Sequence, residues 1–228
     1  MKSSGKVALI TLTTLYRELL RHFGPRNWWP ADSPFEVIIG AILTQNTSWR
    51  NVEKALENLK KHNALDPVVM ERMKTEKIAG FIRSSGFYNQ KARTIKGFLL
   101  YYKTKYNLKI EFTFEETLGT LRKDLLQIKG IGEETADCIL LYAFKKTTFV
   151  VDSYTKRIIT RIGINSDVKS YKSLKRIIES SIPEDMAIYN EFHSLFVQLG
   201  REYCRSKPLC NFCPVLRNCK FAIQNSYK

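Results

Sequence analysis

The sequence predicts an all-α fold. Apolar residues recur at spacings of three and four through most of the 228-residue chain, and this is the periodicity of amphipathic helices. Short loops that carry glycine, proline, serine or asparagine separate these stretches. Residues 147–151 alone have a strand-like pattern, and no internal repeat or low-complexity linker divides the chain.

The helices of the N-terminal half are predicted from apolar spacing and from end signals. The first contains Leu9, Leu12, Leu15, Tyr16, Leu19 and Leu20 and ends at Gly24-Pro25. The second begins near Phe35, because Ser33 is a suitable N-cap and Pro34 fits a first turn. It is almost entirely apolar as far as Leu43, so we expect it to be the central buried helix. Further helices are predicted at 49–59, 66–74, 76–84 and 90–106.

The C-terminal half is organised around residues 125–157. A tight turn, Lys129-Gly130-Ile131-Gly132, joins a helix predicted at 114–126 to one that starts near Glu133. Two glycines this close let the backbone turn sharply and approach another molecule. The unpaired amides at the start of the second helix suit a phosphate oxygen, although the corner could also serve packing alone. The remaining helices are predicted at 153–162, 170–181 and 185–204.

The chain carries a net charge of +15 and has a pI of about 9.6. This excess of lysine and arginine favours a polyanionic partner, since these residues release counterions when they neutralise phosphates; a basic surface kept for solubility is the alternative. Residues 1–6 are polar, and no apolar run reaches the roughly 20 residues of a membrane span. We therefore expect a cytoplasmic protein without a signal peptide or a membrane partner.

Four of the five cysteines, Cys204, Cys210, Cys213 and Cys219, follow a C-x5-C-x2-C-x5-C pattern. Thiols at this density in a chain without a secretion signal indicate a metal centre, and both zinc and a 4Fe–4S cluster accept four thiolates. Basic residues around this loop bring positive charge that suits a phosphate backbone. The fifth cysteine, Cys138, is expected to be an ordinary buried residue.

Aromatic residues stand in two predicted loops and at one helix start. Trp28-Trp29-Pro30 precedes the buried helix, Trp49 opens the next helix, and Phe87 lies in a turn. Tryptophan in a loop is often part of a core or a lid. Beside a basic surface, stacked tryptophans can also hold a flipped base, and Phe87 can be a surface anchor or a wedge between base steps.

The longest motif is LQIKGIGEETA at 126–136, followed by Val150-Val151-Asp152. It resembles the helix–hairpin–helix and the aspartate of the endonuclease III superfamily of DNA glycosylases. Residues 44–47, 86–92 and 199–219 are similar to other segments of that family, including its iron–sulfur loop. The similarity extends from about residue 28 to residue 219. The residues of these motifs and their order are most similar to the 3-methyladenine DNA glycosylase III branch.

The resemblance implies an architecture of two helical subdomains. A six-helix barrel with the helix–hairpin–helix would occupy 27–146, and a helical iron–sulfur subdomain formed by both termini would occupy 1–26 and 147–228. The four cysteines of the loop would hold a 4Fe–4S cluster, and the hairpin carbonyls could carry a monovalent cation. The implied partner is double-stranded damaged DNA, bound by a monomeric, nucleoid-associated prokaryotic enzyme.

The resemblance also assigns roles to single residues. Asp152 is implied to be the catalytic carboxylate, although as a residue before a helix it could equally be an N-cap. The implied base pocket consists of Trp28, Trp29, Pro30 and Trp49. The implied DNA contacts are Gln45, which fills the gap left by a flipped base, Phe87, which is a wedge, and the phosphate-binding residues Lys129, Gly130, Ile131 and Gly132.

Glu134 decides the expected reaction class. Bifunctional family members have a lysine at this position that forms a Schiff base with the sugar, and a carboxylate cannot do so. Unless Lys129 or Lys156 substitutes, the resemblance implies a monofunctional glycosylase that flips alkylated purines such as 3-methyladenine and releases them by hydrolysis. The alternatives are an endonuclease III-like glycosylase for oxidised pyrimidines or mismatched thymine or uracil, a non-catalytic damage-binding module, and a zinc protein without iron.

Overall fold

The computed structural model describes residues 10–26, 28–164 and 170–227, and within them the all-α prediction is confirmed. The helices are α1 (Leu12–Phe23), α2 (Pro34–Leu43), α3 (Trp49–Lys61), α4 (Pro67–Arg72), α5 (Thr75–Phe81), α6 (Tyr88–Tyr106), α7 (Leu118–Gln127), α8 (Glu133–Cys138), α9 (Ser153–Ile162), α10 (Tyr171–Ser181), α11 (Met186–Glu202) and α12 (Lys220–Gln224). A π-helical turn, Ile139–Ala143, continues α8, and no β-strand occurs in the described ranges.

Two of the sequence predictions fall on residues that the structure does not describe. Leu9, predicted in α1, and Asn27, predicted at a subdomain boundary, lie outside the described ranges. Among the helices that are described, none is both long enough and apolar enough to cross a membrane.

The described chain divides into two compact units. The central unit is Trp29–Thr148, and the terminal unit is formed by the described residues up to Trp28 and from Phe149 onward. The central unit contains α2 to α8, and the terminal unit contains α1 and α9 to α12.

The central unit is built around α2. The Ser33 hydroxyl accepts a hydrogen bond from the Glu36 amide at 3.1 Å, and Pro34 is the first helical residue. Every residue from Phe35 to Leu43 is buried, and the helix packs against α3, α6 and α8. Complete burial of one isoleucine side chain stabilises a fold by about 1.5–3 kcal/mol, and α2 contributes three such side chains. The prediction of a central buried helix is therefore confirmed.

Several predicted helix boundaries are wrong. Helix α7 begins at Leu118 rather than at 114, because Thr117 caps it by accepting a hydrogen bond from the Thr120 amide at 3.1 Å. A turn of 3-10 helix precedes this cap. The helices predicted at 66–74, 76–84 and 185–204 are shorter in the structure, where they correspond to α4, α5 and α11. Residues 147–151, which have a strand-like sequence, are irregular.

The terminal unit depends on the close approach of α9 and α11. A Cβ atom on Gly200 would lie 2.2 Å from Cδ1 of Tyr154, so only glycine allows the two helices to meet here. Helix α1 also packs against α11. The contact between α9 and α11 fixes the start of α9, where Asp152 lies, and the end of α11, where the cysteine loop begins.

Candidate functional site

The hairpin between α7 and α8 in the central unit adopts the predicted tight turn. Gly130 has a positive φ of +96°, and a Cβ atom there would lie 2.1 Å from Oγ1 of Thr94 on α6. Oγ1 of Thr94 donates a hydrogen bond to the Lys129 carbonyl at 3.1 Å. Both the left-handed backbone and the contact with α6 therefore require glycine at this position.

Gln45 lies against this hairpin. Its Nε2 donates to the Gly130 carbonyl at 2.9 Å and to Oγ1 of Thr135 at 2.9 Å. Lys129, Gly130 and Gly132 are exposed. The structure thus brings Gln45 together with the turn that the sequence predicted to bind phosphate.

Two other hairpin residues differ in their exposure. The side chain of Ile131 is buried, and its amide donates to the Ile128 carbonyl at 3.0 Å, so this N–H group already serves the turn. Glu134 lies in the first turn of α8 and is exposed. The residue that decides the expected reaction class is therefore exposed beside the hairpin.

The structure brings two of the predicted pocket residues together. The rings of Trp29 and Trp49 meet edge to face, with centroids 5.4 Å apart and planes at 84°. Trp29 also lies 5.2 Å from the ring of Tyr142, and a Cβ atom on Gly40 would lie 3.4 Å from the Trp29 ring. Both tryptophans are half-buried. We call Trp29, Trp49 and Tyr142 the aromatic cluster.

The sequence predictions missed Tyr142. It stands in an apolar run that looks like an ordinary buried helix, and its position in a π-helical turn is not visible in the sequence. Short π-helical segments occur frequently at functional sites. Of the other predicted pocket residues, Pro30 is exposed, and Trp28 belongs to the terminal unit.

Lys91, on the first turn of α6, is the second residue that the sequence predictions missed. It is buried, and its Nζ donates to the Leu43 carbonyl at 2.8 Å and to the Ser85 carbonyl at 2.7 Å. Burial lowers the pKa of the Lys91 ammonium group from 10.5 to about 8. Phe87, which follows Ser85 by two residues, is 67% exposed and has a positive φ of +45°, an uncommon backbone conformation for a bulky residue.

In the terminal unit, Asp152 is the N-cap of α9. Its Oδ1 accepts a hydrogen bond from the Thr155 amide at 2.7 Å, and its side chain is 13% exposed. Its Oδ2 lies 3.8 Å from Nε2 of His193 on α11. Burial lowers the pKa of the His193 imidazole, and the negative charge of Asp152 acts in the opposite direction. His193 is a third residue that the sequence predictions missed.

The four cysteines of the loop line one cavity at the end of α11. Burial raises the pKa of the thiol groups of Cys210, Cys213 and Cys219, and for Cys213 it reaches about 12. Buried thiols of this kind ionise only where positive charge compensates them. The isolated Cys138 is buried in α8, as expected.

Arg161 of α9 contacts this cavity. Its Nη1 donates to Sγ of Cys204 at 3.4 Å, and its carbonyl accepts from Sγ of Cys219 at 3.5 Å. No three Cys, His, Asp or Glu side chains in the described ranges form a group that could hold a single metal ion. In a 4Fe–4S cluster each thiolate binds a different iron, so its four ligands stand farther apart than around one zinc ion. The donor set of four thiols around a single cavity fits such a cluster.

Comparison with known proteins identifies the family. Residues 39–184 match the family model described as HhH-GPD superfamily base excision DNA repair protein. A Methanocaldococcus jannaschii protein provisionally named a DNA repair glycosylase is 44% identical over 90% of this chain and 94% of its own length. Endonuclease III of Thermotoga maritima is 31% identical over 91% of both chains.

A solved structure is similar over most of the chain. The crystal structure of the H. pylori 3-methyladenine DNA glycosylase bound to 1,N6-ethenoadenine has a TM-score of 0.71 and 30% sequence identity, and covers 84% of this chain and 94% of that one. The superfamily expected from the motifs is therefore confirmed. The chain belongs to the HhH-GPD superfamily of base excision DNA repair proteins, the helix–hairpin–helix DNA glycosylases.

Proposed function

We propose that the protein is a monofunctional DNA glycosylase that flips alkylated purines such as 3-methyladenine out of DNA and releases them by hydrolysis. The observation that carries the proposal is the glutamate at position 134, an exposed residue in the first turn of α8. Bifunctional relatives carry a Schiff-base lysine there, and a carboxylate cannot form that bond. The similarity to the H. pylori 3-methyladenine DNA glycosylase supports the same choice.

The aromatic cluster supports alkylated purines as substrates. An N3-methylated adenine is cationic, and the half-buried, electron-rich rings of Trp29 and Trp49 attract a cation by about 0.5–2 kcal/mol. Tyr142 is buried and packs against Trp29. A cationic base is also a good leaving group, so the enzyme has no need to protonate it. Stacking on the cluster therefore favours the alkylated base over the neutral one. Pro30 remains a predicted member of this pocket, and the role of Trp28, which belongs to the terminal unit, remains a prediction from the resemblance.

Asp152 is proposed to stabilise the positive charge that develops on the sugar as the base leaves. An ionised carboxylate stabilises an oxocarbenium-like centre and can orient or deprotonate the attacking water. The N-cap hydrogen bond through Oδ1 fixes the orientation of this side chain. Oδ2, which does not cap the helix, lies 3.8 Å from His193 and is the oxygen available for chemistry.

Contacts to DNA are proposed for the hairpin and for two side chains. The exposed backbone of Lys129, Gly130 and Gly132 would bind a phosphate, whereas the amide of Ile131 is occupied within the turn. A monovalent cation would bind the carbonyl oxygens of the hairpin. Each of these oxygens has two lone pairs, so it can bind a cation while it accepts a hydrogen bond. Gln45 would fill the gap left by the flipped base, and the exposed Phe87 would be the wedge.

A 4Fe–4S cluster is proposed on Cys204, Cys210, Cys213 and Cys219. When bound, it would link the four thiolates and hold the loop in one conformation. The basic residues of this loop would then face a phosphate backbone. An anaerobic preparation that is brown and contains about four irons per chain supports the cluster, and a colourless preparation with one zinc ion per chain contradicts it.

The proposed partner is double-stranded damaged DNA, bound by a monomer in the cytoplasm at the nucleoid of a prokaryotic cell. The net charge of +15 supports a polyanionic partner. The proposed enzyme is tested with duplexes that contain 3-methyladenine, 7-methylguanine, hypoxanthine, thymine glycol, uracil or a T:G mismatch. Faster release of the alkylated purines than of the other bases in the panel supports the proposal.

A second candidate is an endonuclease III-like glycosylase, because endonuclease III of Thermotoga maritima is 31% identical to this chain. In the same lesion panel, preferential release of thymine glycol, uracil or mismatched thymine would support this alternative. An absence of base release from every duplex, with tight binding retained, would instead identify a non-catalytic damage-binding module.

A further inference from the structure

One buried ammonium group contacts two loops at once. Nζ of Lys91 donates to the carbonyls of Leu43 and Ser85. Leu43 is the last residue of α2, and Ser85 is the last residue of a 3-10 turn. Each carbonyl is thus followed two residues later by a side chain proposed to enter DNA, which is Gln45 in one loop and Phe87 in the other.

We propose that Lys91 is a positioning residue that holds the Gln45 loop and the Phe87 loop together, so that both side chains enter the damaged duplex as a pair. This inference rests on the proposed function, since it takes the DNA contacts of the two side chains from there. Lys91 itself is buried and touches neither DNA nor the reacting atoms in this scheme.

The two carbonyl acceptors attract a cation to this position. Carbonyl groups at the ends of helical segments carry unsatisfied partial negative charge, which stabilises a nearby positive charge. Lys91 is nevertheless costly, because a buried ammonium group loses its hydration and the two described acceptors are neutral carbonyls. An apolar side chain of similar length would fill the same volume without this cost. The presence of a charged residue here is explained if insertion into DNA requires one fixed placement of the two loops.

A second contact from the start of α6 supports a positioning role for this helix. Thr94, one turn after Lys91, donates to the Lys129 carbonyl of the hairpin. The first turns of α6 therefore contact all three segments of the central unit that are proposed to bind DNA. The φ of +45° at Phe87 shows that its loop is held in an uncommon conformation, which persists only where surrounding contacts enforce it.

The same helix offers a matched control. Nζ of Lys96 also donates to two backbone carbonyls, those of Glu71 and Met73, which lie at the end of α4. That segment has no proposed role in DNA binding. Lys91→Met and Lys96→Met therefore remove the same kind of contact from the same helix, and only the first removes it from the two DNA-facing loops.

The test measures side-chain insertion directly. The probe is a duplex with a tetrahydrofuran abasic analogue and a neighbouring 2-aminopurine, whose fluorescence changes when side chains enter the gap. Lys91→Met is expected to slow the insertion phase about tenfold, while the affinity for an undamaged duplex stays within about twofold because the phosphate contacts are unchanged. Lys96→Met is expected to leave both values at those of the wild type. Insertion at the wild-type rate in Lys91→Met overturns the proposal.

A double-mutant cycle gives a readout that a purely structural lysine would not alter. In the wild-type background, Gln45→Ala and Phe87→Ala are expected to slow insertion by about tenfold each and by only about 10–20-fold together, because the pair acts as one unit. In the Lys91→Met background their effects are expected to multiply to about 100-fold. Equal coupling in the two backgrounds contradicts the proposal.

Two outcomes separate this inference from the proposed function. If Lys91→Met does not fold, the wild-type cycle still decides, and simple additivity of Gln45→Ala and Phe87→Ala there overturns the inference. The abasic probe requires no base release, so a wild-type protein that inserts the pair but releases no alkylated purine refutes the proposed function alone.

Discussion

Nε2 of Gln45 donates a hydrogen bond to the carbonyl oxygen of Gly130 at 2.9 Å. The side chain proposed to fill the gap in the duplex is thus hydrogen-bonded to the hairpin proposed to hold a phosphate. The same Nε2 also donates to Oγ1 of Thr135 at 2.9 Å. One side chain therefore joins two of the proposed DNA contacts of the central unit.

Gln45→Ala should lower the free energy of unfolding by about 0.5–1.5 kcal/mol, because it removes the donor to Gly130 and Thr135 at a partly exposed position. Chemical denaturation of wild type and variant measures this difference. Thr135→Val, which removes one acceptor and leaves the bond to Gly130, is expected to have a smaller effect on insertion than Gln45→Ala. Equal effects of the two substitutions on insertion would contradict a role of Gln45 in the gap.

Gly130→Ala should lower the free energy of unfolding by about 2 kcal/mol or more, because its φ is +96° and the new Cβ would lie 2.1 Å from Oγ1 of Thr94. Gly132→Ala is the control. Its φ is −95° and, apart from its chain neighbours, no atom lies within 4 Å of the position that the new methyl group would take. Gly132 is the N-cap of α8, where alanine is a poorer cap than glycine, so a loss of at most about 1 kcal/mol is expected. Similar unfolding midpoints for the two variants would be inconsistent with the described hairpin geometry.

Asp152→Asn should lower the rate of base release by about 10²–10⁴-fold with little change in stability. Asparagine is as good an N-cap as aspartate, so the helix start is retained while the carboxylate charge is lost. The control is Asp185→Asn, which makes the same change at the N-cap of α11 in the same unit. Single-turnover assays with the best substrate of the lesion panel compare the three proteins.

Two results would oppose the role of Asp152. Base release by Asp152→Asn at the wild-type rate would remove the carboxylate from the chemistry. An equally large loss of base release in Asp185→Asn would attribute the effect to helix capping, and circular dichroism of both variants tests whether α9 and α11 are intact.

The stability of the protein should depend on pH through Lys91. Its pKa falls from 10.5 to about 8 on folding, so between these values the unfolded chain binds more protons than the folded one. Stability from this group therefore increases as pH rises from about 8 to about 10.5, by roughly 1–3 kcal/mol. Comparison with Lys91→Met over this range isolates the effect, because other titrating groups are common to both. A constant difference between the two proteins would contradict the lowered pKa.

Local signals were sufficient to predict much of this fold. Ser33 and Pro34 identify the start of α2, the apolar run identifies its burial, and Gly130 identifies the turn, because capping and backbone strain depend on neighbouring residues. Asp152 was predictable both as an N-cap and as a family motif residue. The start of α7 was not, because a cap at Thr117 competed with the apolar spacing that precedes it.

One physical reason explains why the sequence predictions missed three site residues. Lys91 looks like one of several basic residues in a long helix, and one of its two carbonyl partners, Leu43, is 48 residues away in sequence. Tyr142 and His193 look like core residues of apolar helices, and their neighbours Trp29 and Asp152 are far away in sequence. Such roles depend on tertiary packing, which residue spacing does not encode.

We propose that Glu134 leaves the enzyme without a Schiff-base route. This is tested by incubating the protein with a 3-methyladenine duplex in the presence of borohydride, which traps a covalent imine. We expect release of the base, an intact strand until alkali is added, and no trapped adduct. A covalent protein–DNA adduct, or strand cleavage without alkali, would contradict it.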